Sequence, residues 1–134
     1  MTAASFAQQA YKNSQRELAS EKSIELQVFY QITSRMRAAD ISETGGMSKL
    51  AEALTDNMKL WNILFTDLSL ASNKMPDELK AQIMSLAKFT QSQTFEILAG
   101  RAKHDVLIDI NQAMINGMRA GSKVDMITQE TKVA

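Results

Sequence analysis

His104 is the only histidine in the 134-residue chain, and it stands close to Asp105 and Asp109. An imidazole beside two carboxylates is the beginning of a metal site or an acid–base pair. Transition metals take three or four well-placed protein ligands, and one histidine with scattered carboxylates falls short of that. His104 therefore reads as a solvated residue at the start of a helix. The chain has no cysteine, which removes disulfides, thiolate metal sites and a cysteine nucleophile. Serines are plentiful, but a serine needs an adjacent base to act as a nucleophile. Gly45-Gly46 is a two-glycine turn with no phosphate-binding lysine at the spacing of a phosphate loop. This inventory predicts no catalytic residue, no cofactor and no metal, and the chain reads as a non-enzyme.

Three polar residues inside apolar stripes carry more information. Glu25 projects between Ile32 and Met36, Asn57 lies among Leu50, Leu54, Leu60 and Leu64, and Asn111 sits beside Leu107 and Met114. A buried polar group costs free energy unless it is paired. Either these groups pair with one another, with backbone or with the Trp61 Nε1–H and fix helix register, or one of them receives a partner's backbone. The first arrangement is the commoner one. Trp61 itself reads as core, although tryptophan is also a favoured interface residue.

The elements that position these residues are helical. Ser20 suits an N-cap with Glu21 in the first turn. Ile24, Val28, Ile32 and Met36 then repeat every four residues, and Leu26, Phe29 and Tyr30 widen the apolar arc to about two-thirds of the circumference. That is more than one neighbouring helix can cover. Ser42 to Gly46 reads as a turn, with Ser48 as the next cap and Glu52 near the capping-box position. Met47, Leu50, Leu54, Met58, Trp61, Phe65 and Leu68 form the second stripe, widened by Leu60 and Leu64. Pro76 suits the first position of a third helix, with Asp77 and Glu78 in its first turn. Its stripe is Leu79, Ile83, Leu86, Ile97 and Leu98, with Thr90 and Thr94 lying in it, and Gly100 ends it. Val106, Leu107, Ile110, Met114, Ile115 and Met118 mark a fourth helix, with Gly117 or Gly121 at its end. Ile63, Met84 and Phe95 fall off the stripes and would form a patch if they came together.

The expected fold is all-α: a small antiparallel bundle of three to four main helices with a short N-terminal helix or arm. Phe6, Ala10 and Tyr11 are the anchors available in that arm. Residues 1–121 read as one domain, and residues 122–134, with little apolar content, as a frayed tail. Fifteen basic and fifteen acidic residues cancel, so no basic field advertises nucleic acid or an anionic membrane. The N-terminus lacks a signal sequence and no apolar run reaches bilayer length, which predicts a soluble, cytoplasmic protein. Nine methionines stand out. Met36, Met47, Met58, Met114 and Met118 fall on stripes and read as packing, which leaves Met75, Met84 and Met126 for an adaptable surface.

Several segments, in order, resemble the FlaF family of alphaproteobacterial flagellar regulators. They are Ala10-Tyr11, Ala19-Ser20-Glu21-Lys22-Ser23-Ile24-Glu25, and Asn57-Met58-Lys59-Leu60-Trp61 with Asp67 downstream. Met75-Pro76-Asp77-Glu78-Leu79 follows, then Leu86 and Phe89, and finally Ile110-Asn111 and Gly117-Met118. Glu21, Lys22 and Met118 replace the family's usual proline, arginine and leucine, and the tail after Arg119 runs beyond the usual end.

The resemblance implies a cytoplasmic, non-enzymatic protein that binds flagellin. It further implies chaperone-like support of flagellin secretion and post-transcriptional control of flagellin synthesis together with the regulator FlbT. A broad apolar arc suits capture of a partner helix in a groove. The expected contacts are Tyr11, Val28, Phe29, Ile32, Trp61, Leu64 and Phe89, with Glu25 and Asn57 as orienting polar groups. Two other readings stand beside this one. A direct messenger-RNA binder would use a local patch of Lys12, Arg16, Lys22, Arg35 and Arg37. A helical structural subunit would self-associate.

Overall fold

The computed structural model describes Ser5 and residues 24–133, with side chains to residue 120. Ser20, Glu21 and the expected N-terminal anchors Phe6, Ala10 and Tyr11 lie outside the described residues. The fold is an all-α bundle. Among the described residues four helices pack antiparallel, and there is no strand. The described part of α1 covers residues 24–38. Next come α2 (Gly46–Ser69), α3 (Asp77–Leu98) and α4 (Asp105–Val133).

Each boundary has a local cause. Asp40 Oδ1 accepts hydrogen bonds from the Ser42 hydroxyl at 2.6 Å and the Ser42 amide at 2.9 Å, which folds the chain back after α1. Those bonds, the hydroxyl's first, hold the Asp40 carboxyl below its usual range. Their contribution to the turn is therefore present at neutral pH and fades as acid protonates the carboxylate. Gly45 is left-handed at φ 77° and serves as N-cap of α2 without a side-chain cap. Ser48 is thus inside the first turn, not at the cap. The helix starts earlier because Gly46 is buried against the Asp40 backbone, where a Cβ would overlap the Asp40 carbonyl oxygen.

Pro76 stands one position before α3, as its N-cap, and its carbonyl accepts the Lys80 amide at 3.0 Å. Asp77 and Glu78 occupy the first turn as expected. Gly100, at φ 77°, ends α3. The Gly100 amide bonds to Ile97 O at 3.0 Å and the Arg101 amide to Glu96 O at 2.9 Å, the paired bonds of a Schellman stop. The Arg101 guanidinium also grips the Glu96 carboxylate at 2.7 Å and holds its pKa low. The backbone of α4 continues through Gly117 and Gly121 to Val133, so neither glycine ends it. A glycine inside a helix costs only about 1 kcal/mol relative to alanine.

The core is narrower on α1 than the sequence pattern suggests. Phe29, Ile32, Thr33 and Met36 are buried, and Leu26 and Val28 are half-buried. Ile24 and Tyr30 are exposed. The other helices contribute Leu50, Leu54, Trp61, Ile83, Ile97, Leu107 and Ile115, among others. Leu60 and Leu64 join them as expected. Met47, Leu79 and Leu98, expected in stripes, are exposed. Met75 and Met84, expected on the surface, pack partly buried against the core.

The register of α1 on α2 is set by two contacts: the Phe29 and Trp61 rings meet edge to face at 5.8 Å, and Arg35 pairs with Asp56 at 2.8 Å. The ion pair is half-exposed and is worth about 0–1 kcal/mol, so the ring contact and burial carry most of the attachment.

Two glycines separate crowding from backbone strain. Gly46→Ala should lower stability by about 2–3 kcal/mol, since neighbouring backbone must move. Gly100→Ala, which meets open space, should lose only the left-handed penalty of about 1–2 kcal/mol. Urea unfolding of the two variants checks the order.

Candidate functional site

At mid-height the core contains a layer of neutral polar side chains. The Asn111 amide on α4 lies at its centre. Its Oδ1 accepts from Trp61 Nε1–H at 3.0 Å. Its Nδ2 donates to Asn57 Oδ1 at 2.8 Å and to Thr33 Oγ1 at 3.2 Å. The Thr33 hydroxyl in turn donates to Phe29 O at 2.6 Å, one helical turn back. One amide group therefore joins α1, α2 and α4. All four polar residues are at most 2 % exposed.

Thr90 and Thr94 bring α3 to the same core. The Thr94 hydroxyl donates to Thr90 O at 2.6 Å. Asn57 lies twelve residues before the end of α2 at Ser69, and Thr90 thirteen residues after the start of α3 at Asp77. In an antiparallel pair that puts them at about one level. Among the described residues, Asn57 Nδ2 and Thr90 Oγ1 are the two buried side-chain polar atoms without a hydrogen-bond partner. Each such orphan costs about 1–3 kcal/mol.

Most of the expected pairing among Asn57, Asn111 and Trp61 is present in atomic detail. Glu25 does not take part in this layer: it is half-buried on α1, where it has an interaction of its own. Thr33 was not singled out from sequence. Its signal was present, because a threonine four residues after Phe29 sits on the same stripe as Ile32 and Met36, and threonine back-bonding hides such a residue comfortably in a helix.

The expected contact residues separate into groups. Phe29, Ile32, Asn57, Trp61 and Leu64 are core. Val28 is half-buried, Phe89 is 45 % exposed, and Tyr11 lies outside the described residues. Phe89 lines a shallow concavity of about 680 Å³ on α3 with Glu78, Ala81, Gln82, Ser85 and Leu86.

The possible patch of Ile63, Met84 and Phe95 does not assemble. Ile63 and Met84 stand near one level of the hairpin, while Phe95 is about 16 Å further along α3. Of the possible basic patch, Arg35 is paired with Asp56 and Arg37 donates to Gln112 at 2.7 Å. Lys12, Arg16 and Lys22 lie outside the described residues.

The chemistry available in the polar layer is hydrogen bonding alone, since amides, hydroxyls and an indole supply neither a base nor an acid near neutral pH. His104 stands immediately before α4, and its carbonyl accepts the Leu107 amide at 3.1 Å. Among the described residues no three His, Asp or Glu side chains gather into a metal-binding group, and no helix is long and apolar enough to cross a membrane.

The fold and its polar layer thus define a small four-helix-bundle protein organised around a buried amide. Residues 7–118 match the family model described as flagellar protein FlaF, and the chain belongs to that family, which is not an enzyme family. No curated protein and no solved structure matches the chain.

Trp61→Phe keeps the ring contact but strands Asn111 Oδ1 without its donor. We expect a loss of about 1–3 kcal/mol in chemical denaturation with little change in helix content by circular dichroism. An unchanged midpoint would show that the indole bond contributes nothing.

Proposed function

We propose that this FlaF protein binds flagellin in the cytoplasm before export. It shields amphipathic segments that become helical only when packed in the filament, and so acts as a chaperone in flagellin secretion. Together with FlbT it sets flagellin synthesis after transcription. The observation that carries this reading is family membership across residues 7–118, which supplies the flagellar context.

The surface lends physical support. Leu79, Phe89, Phe95 and Leu98 of α3 are exposed, and Phe89, with Leu79 and Leu86 on its flank of the helix, offers the kind of apolar side chains on which an amphipathic helix can anchor. Phe89 is the first point of contact, because it is exposed and lines the concavity beside Leu86. Among the expected contacts, Val28 and Glu25 on α1 are half-buried. Phe29, Ile32, Asn57, Trp61 and Leu64 become available only to a partner that enters the bundle.

Calorimetry with purified flagellin tests the reading. Micromolar or tighter binding near 1:1 is expected, and no heat at tens of micromolar contradicts it. Phe89→Asp should weaken binding at least tenfold, as loss of an aromatic anchor does, while moving stability by only about 0.5 kcal/mol.

A further inference from the structure

Each helix brings a buried polar side chain to mid-height: Thr33 on α1, Asn57 on α2, Thr90 on α3 and Asn111 on α4, all at most 2 % exposed. The Trp61 indole can only donate, so it fixes the direction of the bonds that follow. It meets Asn111 Oδ1, which turns Asn111 Nδ2 toward Asn57 Oδ1. Asn57 must then present its Nδ2 away from Asn111, as a donor in need of an acceptor. Among the described residues that donor has no partner, and neither has Thr90 Oγ1 on α3 at about the same level. The Thr90 hydroxyl also differs from those of other helical threonines. Thr33, Thr55, Thr66 and Thr94 each donate to the carbonyl one turn back in their helices, and Thr90 does not. Its hydroxyl is left to the layer.

We propose that a single buried water bridges Asn57 Nδ2 and Thr90 Oγ1 and completes the polar layer on the side of α3. Two buried polar groups at one level that make no direct bond are the setting in which a bridging water is found. The water oxygen accepts from the Asn57 amide. One water proton goes to Thr90 Oγ1, and the other is left for a helix carbonyl, whose oxygen has a second lone pair. That gives the two to four bonds an internal water needs. Ala53, Ala87 and Thr94, about one turn away on the same two helices, are small and do not crowd the site. The side chains of the layer are all neutral. An ion there would lack a counter-charge, whereas an immobilised water costs little. α3 packs against both α2 and α4. The water gives it the polar tie to the layer that Asn111 gives to α1 and α2.

A high-resolution crystal structure of the full chain tests the site. It should show a water oxygen within about 3.2 Å of both Asn57 Nδ2 and Thr90 Oγ1. Thr90→Ser keeps the hydroxyl and should keep the water, and Thr90→Val should lose it. Equilibrium denaturation supplies an independent sign, because Thr90→Val preserves the side-chain shape. With the water in place, removing the hydroxyl strands the Asn57 donor and should raise the unfolding constant about fivefold or more. Without it, the same change removes an unpaired hydroxyl and makes the bundle more stable. A direct Asn57–Thr90 hydrogen bond in the crystal overturns the proposal, as does an Asn57 Nδ2 surrounded by protein atoms alone. A Thr90→Val variant at least as stable as the unsubstituted chain overturns it too.

Discussion

An asparagine amide inside a hydrocarbon core must find partners for its oxygen and its nitrogen, and Asn111 finds them on two other helices. The indole of Trp61 supplies a donor, while Asn57 and Thr33 supply acceptors. These bonds are directional, so sliding any of the three helices by one residue would break at least one of them and strand a buried group. Apolar packing alone tolerates such slips more readily. The α1/α2 register seen in the Phe29–Trp61 and Arg35–Asp56 pairs is the one that the Asn111 bonds also require. The outer contacts and the inner layer therefore specify one arrangement.

The same layer is incomplete on the side of α3. Among the described residues two buried polar atoms go unpaired there, while α3 brings Ile83, Ala87 and Ile97 into the core and leaves Phe89 and Phe95 exposed.

Legibility in the sequence followed the strength of each physical signal. The four helices were readable because their stripes are long and their stops are chemically explicit, as at Gly45, Pro76 and Gly100. Asn57, Asn111 and Trp61 were readable as a pairing set because polar groups in an apolar stripe must be satisfied. Thr33 was not, since threonine can hide by bonding its own backbone and so leaves no pattern; Thr90 lies on the third stripe, but no spacing shows that its hydroxyl is left without a partner. Gly46 looked like half of a turn, because nothing local shows that the chain six residues earlier returns against it. The width of the buried face of α1 was the least legible feature. Ile24 and Tyr30 seemed to extend the α1 stripe, yet burial depends on where neighbouring helices lie, which periodicity along one helix does not encode. For the same reason, residues suited to a groove, such as Phe29 and Trp61, were equally suited to the core.

The Trp61–Asn111 bond couples α2 to α4 through the core. A double-mutant cycle with Trp61→Phe, Asn111→Ala and the pair, read by equilibrium denaturation, measures this directly. A coupling of about 1 kcal/mol or more between the two sites is expected. Additive effects, within about 0.3–0.5 kcal/mol, would contradict it.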